Sequence, residues 1–582
     1  MNNPRSLLAE RLAAAVAKAF GAGHADVDPI VRASEHADFQ ADLAMGLARS
    51  LRRPPRQVAE AVVAHAELAD VCERVEIAGP GFINLTLRRD VLEGALAAFA
   101  RDARLGVPWP GRRERVVIDY SAPNVAKEMH VGHLRSTIIG DALARMFEFL
   151  GHDVIRQNHI GDWGTPFGML IEYFASAGAD GAGGVESSVR ELNDFYRAAR
   201  AAFDSDPDFA ERARARVVAL QAGDARTREL WRALVDISTR HFSGVYERLG
   251  VTLTDADVRG ESFYNAALPE VAAELEARGL TAVSDGALCV FPPGFTNRDG
   301  EPLPLMVRKQ DGGFGYAATD LAALRYRTQT LGATRLLYVV GAPQQQHFAM
   351  VFAVGTLAGW LASPARAEHV AFGSVLGADR KMLKTRAGDT VPLAALLDEA
   401  VERAAAALRS RDPGIADETL AALAPKIGIG AIKYADLSND RVKDYLFDWD
   451  RMLAAEGRTG PYLQYAHVRI HSIFRRGAES GVAPPSTEAA IALSAPEERA
   501  LALALLGFPA AVLEAAESLR PHRLAGYLYE LAGAFTAFFE TCPVLRAPDE
   551  AGRASRLALC AVTAAVLARG LGLLGIDAPE RM

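Results

Sequence analysis

The stretch Val116-Val-Ile-Asp-Tyr-Ser-Ala-Pro-Asn-Val-Ala-Lys-Glu-Met-His-Val-Gly-His-Leu-Arg-Ser136 decides the fold, because a strand pattern changes into a helix pattern inside it. Residues 116–120 are mostly β-branched or aromatic and too few for a helix, which predicts a buried strand that Pro123 ends. Apolar residues then recur at helical spacing until Gly151 stops the helix: Ile139, Leu143, Met146 and Leu150. The pattern indicates the start of an α/β unit.

Two histidines flank a glycine where the predicted helix starts. His130 and His133 fall in its first turn, where backbone N–H groups are free and the helix dipole is positive, so phosphate is the natural ligand. Gly132 has no side chain, so a flat adenine can rest on its backbone while both imidazoles donate to phosphoryl oxygens. The alternative is a pair of surface histidines without a ligand.

The composition is that of a globular protein with several domains. A chain of 582 residues predicts three or four domains at roughly 150 residues each. The start Met1-Asn-Asn-Pro lacks an apolar signal core, and the Leu/Ala-rich segments carry charges before they reach bilayer length. We therefore expect a cytoplasmic protein without a membrane partner. A net charge of -8 means that a nucleic-acid partner would have to meet local basic patches.

Four cysteines stand far apart and form no Cys-x-x-Cys pair: Cys72, Cys289, Cys542 and Cys560. Their spacing argues against a structural zinc site and against a disulfide framework. We expect buried thiols and no zinc.

The chain divides into four regions. Residues 1–105 predict a small α+β module, with a helix over 7–20 and a strand over 82–87. Residues 106–375 predict a doubly wound parallel sheet, with further strands at 153–157, 335–340 and 369–373 and a charged helical insertion near 175–245. A glycine-bounded loop and connecting helices occupy 376–453. The strand pattern is absent from 454–582, which predicts a helical bundle.

The loop Gly377-Ala-Asp-Arg-Lys-Met-Leu-Lys-Thr-Arg-Ala-Gly388 is a second candidate nucleotide element. Lys381 and Lys384 each carry a compact ammonium on a flexible stem, which can follow charge as it moves to a departing pyrophosphate. Taken alone, the loop also fits a charged surface turn.

His130-Val-Gly-His133 and Lys381-Met-Leu-Lys384 resemble the two signatures of class I aminoacyl-tRNA synthetases. Further segments narrow the resemblance to the arginyl-tRNA synthetases, and it runs the length of the chain: Asn158-His-Ile-Gly-Asp-Trp-Gly-Thr165, Gly260-Glu-Ser262, Tyr316-Ala-Ala-Thr-Asp320, Asp436-Leu-Ser-Asn-Asp-Arg441 and Gly460-Pro-Tyr-Leu-Gln-Tyr-Ala466. Three positions depart from the family pattern: Pro166, Pro343 and Leu383. The resemblance implies a Rossmann-like catalytic domain between an N-terminal tRNA-contacting module and an anticodon-binding bundle.

The resemblance also implies the reaction. L-arginine would be activated with ATP to arginyl-adenylate and pyrophosphate, then transferred to the 2′-hydroxyl of the 3′-terminal adenosine of tRNA(Arg). ATP would be a substrate together with Mg²⁺, activation would require bound tRNA, and the protein would be a monomer. His130, His133, Lys381 and Lys384 would be catalytic and, with Gly132, would bind ATP.

An arginine pocket should combine carboxylates with an aromatic face, because a guanidinium offers five N–H donors in a rigid fork. Tyr316 and Asp320 would share one helix face. By resemblance, Asp320 and Glu261 would hold the guanidinium and Tyr316 would line its pocket. The arginine-binding set would also include Ser121, together with Asn124 and Gln344 at the α-amino and carboxylate end. Alternatively, Asp320 is a charge on a helix surface, Glu261 caps a helix and Tyr316 belongs to the core.

Candidate tRNA contacts combine cations with aromatic residues, as expected for bases splayed out and stacked. Arg52 and Arg53 lie in the N-terminal module, and Tyr462, Gln464 and Arg469 lie in the bundle. The alternatives are a solvated basic loop and core tyrosines at a domain junction.

Two rival functions differ from this reading. A synthetase for another amino acid, or a small-molecule adenylate-forming ligase, would lack the Tyr316, Asp320 and Glu261 set. A catalytically silent tRNA-binding relative would be expected to lose the histidine and lysine signatures, which this sequence keeps.

Overall fold

The N-terminal module is an antiparallel sheet covered by helices. The computed structural model describes residues 3–24, 26–164, 166–176, 189–383, 390–486 and 490–582. The module contains α1 (Pro4–Phe20), β1 (Val31–Ala33), β2 (Phe39–Ala41), α2 (Leu43–Leu51), α3 (Pro55–His65), β3 (Cys72–Ala78), β4 (Phe82–Leu87) and α4 (Arg89–Arg101). Its strands are ordered β1-β2-β4-β3. The predicted helix over 7–20 and strand over 82–87 are both present.

The α/β region follows in chain order. It contains β5 (Arg115–Asp119), α5 (Val131–Leu150), β6 (Asp153–Gln157), α6 (Pro166–Ser176), α7 (Val189–Ser205), α8 (Pro207–Ala222), α9 (Ala225–Leu249), α10 (Leu268–Ala277), β7 (Thr281–Ser284), β8 (Ala287–Val290), β9 (Leu305–Arg308), α11 (Tyr316–Arg325), β10 (Arg335–Tyr338), α12 (Gln345–Leu357) and β11 (Arg366–His369). Strands β11-β10-β5-β6 form a sheet in which every pair is parallel. The predicted parallel-sheet fold is confirmed.

One strand of that sheet begins earlier than predicted. The sequence pattern places it at 369–373, whereas β11 spans Arg366–His369 and pairs with β10 from Arg366. The prediction relied on an apolar run, but β11 lies at the sheet edge, where charged residues such as Arg366 and Glu368 are tolerated.

The insertions differ in how well the sequence predicts them. Helices α7, α8 and α9 occupy the predicted helical insertion, as far as the structure describes that segment. The antiparallel sheet β7-β8-β9 was not predicted from the sequence. Its strands have four residues each, too few for a clear alternation of apolar and polar side chains.

The remaining chain is almost entirely helical. It contains β12 (Val375–Leu376), α13 (Leu393–Arg411), α14 (Asp417–Leu437), β13 (Tyr445–Leu446), α15 (Trp449–Leu453), α16 (Gly460–Glu479), α17 (Pro496–Leu506), α18 (Phe508–Glu517), α19 (His522–Thr541) and α20 (Glu550–Leu573). Helices α16 to α20 pack as the predicted bundle around fully buried residues such as Leu528 and Phe535.

Two segments of the bundle are long and apolar enough to span a membrane, Pro496–Glu517 and Glu550–Leu573. Each segment nevertheless carries charged residues, such as Glu514 in the first and Arg569 in the second, as expected from the sequence. Both segments pack against other helices of the bundle, and Leu559 and Val566 of α20 are fully buried. The four cysteines are buried free thiols, as predicted.

Candidate functional site

The loop that leaves β5 is held in an unusual backbone conformation. Ser121, Ala122 and Ala126 adopt positive φ angles of 74°, 47° and 59°. Such residues are strained, and they persist only where surrounding contacts fix them. Here Ser121 N–H donates to Ser136 Oγ at 2.9 Å, and Ala122 N–H donates to Asn158 Oδ1 at 3.0 Å. The loop is therefore rigidly placed between the strand and the start of α5.

His130 and His133 form a reciprocal cap at the start of α5. Gly132 N–H donates to His130 Nδ1 at 3.1 Å, and His130 N–H donates to His133 Nδ1 at 3.1 Å. Each Nδ1 accepts a hydrogen bond, so the proton of each neutral ring is on Nε2. The two rings lie 4.1 Å apart between centroids. Both histidines therefore keep one N–H donor that the cap does not use.

The histidines stay neutral at physiological pH. Burial, and then the charge of Lys127, lower the pKa of His130. Burial, followed by the charge of His130, lowers the pKa of His133 to about 3. The first turn of α5 therefore offers neutral hydrogen-bond donors and the positive end of the helix dipole.

These two side chains open into a cavity of about 390 Å³. Asn124 and Lys127 of the preceding loop line it, together with Tyr196 of α7. The chain after residue 389 closes another side, because Val131 N–H donates to Val391 O at 3.0 Å and Leu393 N–H donates to Met129 O at 2.8 Å. The cavity thus lies between the start of α5, the helical insertion and the segment that follows the loop of residues 377–388. We call that loop, which carries Lys381 and Lys384, the lysine loop.

The described part of the lysine loop is a tight turn. Gly377 N–H donates to Lys381 O at 2.8 Å, and Lys381 N–H donates to Asp379 Oδ1 at 3.1 Å. The Lys381 side chain is exposed and is not among the residues that line the histidine cavity. Lys384 and the segment through residue 388 lie outside the described residues, as does Thr165.

A second cavity, of about 630 Å³, contains the predicted guanidinium pocket. Glu261 and Tyr316 line it. Asp320 lies one turn after Tyr316 on α11, and its Oδ2 is 2.6 Å from His347 Nε2. The His347 ring meets the Tyr316 ring edge-on, with 4.9 Å between centroids. Glu261 and Tyr316 therefore share this cavity, and Asp320 is joined to it through His347, which also lines it.

Glu261 and Lys309 are the charged side chains that line this cavity with His347, and two further carboxylates act on Glu261. Burial, and then the charges of Asp162 and Asp320, raise the pKa of Glu261 to about 7. Burial also raises the pKa of Asp162, although Ser262 donates to it from N–H at 2.8 Å and from Oγ at 2.6 Å. A bound cation would relieve this repulsion between carboxylates.

Two predicted arginine contacts have other surroundings. The Ser121 hydroxyl is buried, 2.7 Å from Tyr246 OH, and accepts from Thr137 Oγ1 at 2.9 Å. Gln344 is exposed just before α12 and lines neither cavity, whereas Gln346 lines the pocket. Ligand contacts of Ser121 and Gln344 stay predictions.

The candidate tRNA residues fall into exposed and buried groups. Arg52 and Arg53 are exposed at the end of α2. Tyr462 and Arg469 are half-buried on α16. Gln464 is fully buried, and its amide donates to Lys426 O at 3.0 Å and Asp577 O at 2.9 Å. Since its side chain joins helices in the core, we remove Gln464 from the candidate tRNA surface.

Four site residues were not assigned from the sequence: Lys127, Asp162, Tyr196 and His347. Lys127 and Asp162 lie inside the sequence motifs that resemble those of the family, so the sequence could have identified them. Tyr196 and His347 carry no local signal, because only the packing of α7 and α12 brings them to the cavities.

The fold and the family that matches the catalytic part of the chain define a class I aminoacyl-tRNA synthetase. The family "tRNA synthetases class I (R), catalytic domain" matches residues 97–449. An "Arginyl tRNA synthetase N terminal domain" matches residues 6–87, and a "DALR anticodon binding domain" matches residues 463–582.

Similar proteins and solved structures indicate which amino acid this synthetase attaches to tRNA. An arginine–tRNA ligase of Thermobifida fusca is 56% identical over 582 residues, which covers 100% of both chains. The arginyl-tRNA synthetase structure from Plasmodium falciparum has a TM-score of 0.84 at 29% identity and covers 100% of both chains. That from Thermus thermophilus has a TM-score of 0.82 at 28% identity, covering 99% of this chain and 100% of its own. The chain belongs to the arginyl-tRNA synthetase family, and its reaction is the ATP-dependent ligation of arginine to tRNA.

Proposed function

We propose that the histidine cavity binds ATP as its Mg²⁺ complex and that the acidic pocket binds the arginine side chain. His130 and His133 donate from Nε2 to phosphate oxygens, and the backbone at Gly132 supports the adenine. Asp320 and Glu261 receive the guanidinium, and Tyr316 covers it. The placement of Glu261 carries this assignment, because it shares the cavity with Tyr316 and with His347, the hydrogen-bond partner of Asp320. Burial, and then the charges of Asp162 and Asp320, raise the pKa of Glu261, and a bound guanidinium would favour its ionised form.

The first step is attack of the arginine carboxylate on the α-phosphorus of ATP, with pyrophosphate leaving. The protein contributes positioning and charge stabilisation rather than covalent chemistry. Neutral N–H donors of the histidines stay on the phosphate oxygens, and the cations of Lys127, Lys381 and Lys384 offset charge on the leaving pyrophosphate. Asn124 lines the histidine cavity and holds the α-amino and carboxylate end, together with Gln344.

In the second step the 2′-hydroxyl of the terminal adenosine attacks the activated carbonyl, and AMP leaves. Bound tRNA is also required for the first step. The N-terminal module (residues 1–105) and the bundle (454–582) flank the catalytic region (106–375) and the connecting region (376–453), and they contact tRNA through Arg52, Arg53, Tyr462 and Arg469. The protein works as a cytoplasmic monomer, which size-exclusion chromatography with light scattering would check.

The decisive test offers the purified protein tRNA, ATP and each of the twenty amino acids in turn. We expect acid-precipitable aminoacyl-tRNA with arginine alone, because only a guanidinium matches the paired carboxylates. Lysine is the informative competitor, since it carries the same charge without the planar fork. Equal charging with lysine would contradict the assignment of the acidic pocket.

A further inference from the structure

We propose that Tyr196, on the helical insertion, is a positioning residue of the ATP site that holds the Lys127 ammonium at the triphosphate cavity. The inference rests on the proposed function, which assigns this cavity to ATP. It gives the insertion a part in nucleotide binding, although α7 lies outside the parallel sheet and carries neither signature.

Helix α7 forms one wall of the histidine cavity. Its residue Tyr196 lines the same space as His130 and His133. The preceding residue, Phe195, anchors the helix on α6, with ring centroids 5.2 Å from Tyr173 and 6.1 Å from Phe174. The anchor and the cavity-lining ring are therefore adjacent residues, so the packing of α7 on α6 fixes where Tyr196 lies.

Lys127 meets the face of that tyrosine. Its Nζ is 4.6 Å from the Tyr196 ring centroid, within the range of a cation–π contact. Lys127 lines the same cavity as His130 and His133. Burial lowers the pKa of both histidines, and the charge of Lys127 contributes to the lowering. Among the described residues Lys127 makes no ion pair, so its charge is available to an anion in the cavity.

The ring restricts an otherwise flexible side chain. Lys127 is exposed, and a free lysine side chain loses rotamer entropy when it binds a phosphate. Contact with the tyrosine face restricts the ammonium to the cavity before ATP binds. Part of the loss of rotamer entropy therefore occurs already in the free protein. The benefit requires an aromatic face but no hydroxyl.

The test is ATP–pyrophosphate exchange with tRNA present, measured for Tyr196→Leu, Tyr196→Phe and Lys127→Met. Tyr196→Leu should raise the KM for ATP by about threefold, as expected for one cation–π contact near the surface. Tyr196→Phe should restore the parental KM, and the KM for arginine should not change in any Tyr196 variant. In the Lys127→Met background, Tyr196→Leu should have no further effect.

Phe203→Leu is the matched control. Phe203 is on the same helix and is also approached by guanidinium groups, those of Arg200 and Arg214 at 5.9 and 5.6 Å, but it does not line the cavity. Its variant should keep the KM for ATP. Should Tyr196→Leu and Phe203→Leu raise that KM equally, or Tyr196→Leu act fully without Lys127, Tyr196 is only a packing residue. If Lys127→Met leaves the KM for ATP unchanged, the proposed assignment of Lys127 itself fails.

Discussion

The Nδ1 atoms of His130 and His133 accept hydrogen bonds from backbone N–H groups. Substitutions can therefore separate the role of Nδ1 in the helix cap from the proposed role of Nε2 as a donor to phosphate. In His133→Asn the side-chain oxygen can replace Nδ1 in the cap, but no donor remains at the Nε2 position. In His133→Gln the longer amide reaches the Nε2 position, and Gln at this helix position can also accept from the N-cap N–H of His130. We expect His133→Asn to keep its thermal stability and lose exchange activity by about 100-fold.

His133→Gln should also keep its stability, because Gln at this position can cap the helix. It should retain more exchange activity than His133→Asn, because its amide N–H can donate at the Nε2 position. Thermal denaturation and ATP–pyrophosphate exchange measure the two effects separately. If both variants lose stability and activity in parallel, the two ring nitrogens do not have separate roles.

We expect the proposed role of Glu261 to make arginine binding depend on pH. With a pKa of about 7 in the free protein, this carboxyl is mostly protonated at pH 6 and mostly ionised at pH 8. Only the ionised form pairs with a guanidinium, so the affinity for arginine should rise with pH and be about tenfold higher at pH 8 than at pH 6. Calorimetric titration at both pH values measures this difference.

Glu261→Gln is the control for that dependence. The amide does not titrate, so this variant should bind arginine weakly and equally at the two pH values. A pH dependence that survives in Glu261→Gln would assign the titration to another group of the pocket.

At the scale of elements, the approach of α5 to β5 depends on a missing side chain. A Cβ on Gly140 would lie 2.3 Å from Tyr120 Cβ, the residue that follows β5, so the helix can lie this close only with glycine. Gly140→Ala should cost about 1–3 kcal/mol of unfolding free energy, as other overpacking substitutions do. Denaturant unfolding measures it.

Gly94→Ala provides the comparison. Gly94 lies in α4, and a Cβ there would meet nothing within 4 Å. Alanine should therefore stabilise the protein by about 0.5–1 kcal/mol, because glycine is the poorer helix former. Equal effects of the two substitutions would mean that Gly140 is not needed for close packing.

The elements that could be predicted from the sequence are those whose local pattern agrees with their burial. Strand 116–120 and the helix after it each combine an apolar pattern with a residue that ends the element. The structure contains β5 and α5 there. β7 to β9 are too short to carry a period, and β11 carries charges because it lies at an edge. The candidate site residues divide in the same way. Residues inside recognisable motifs, such as His130 and Asp320, could be named from the sequence, whereas tertiary packing brings Tyr196 and His347 to the cavities.

At the scale of the whole molecule, the N-terminal module and the bundle are held together across the chain. Arg499 of α17 donates from Nε to Asp38 Oδ1 at 3.0 Å and from Nη2 to Leu87 O at 2.7 Å. Asp38 is buried and also accepts from Leu87 N–H at 2.6 Å. The two proposed tRNA-contacting parts are therefore in direct contact, in addition to their covalent connection through the catalytic region.

That junction allows tRNA binding to be disturbed without touching the catalytic cavities. Arg499→Met leaves the Asp38 carboxylate without its cation and should cost about 1–3 kcal/mol. Because neither cavity includes Arg499, exchange at saturating tRNA should keep its KM for arginine and ATP, whereas the KM for tRNA in aminoacylation should rise. Arg32→Met removes an exposed ion pair with Asp42 inside the module and should leave all three KM values unchanged, because such pairs contribute little. A rise in the KM for arginine equal to that for tRNA in Arg499→Met would show that the junction supports the catalytic region itself.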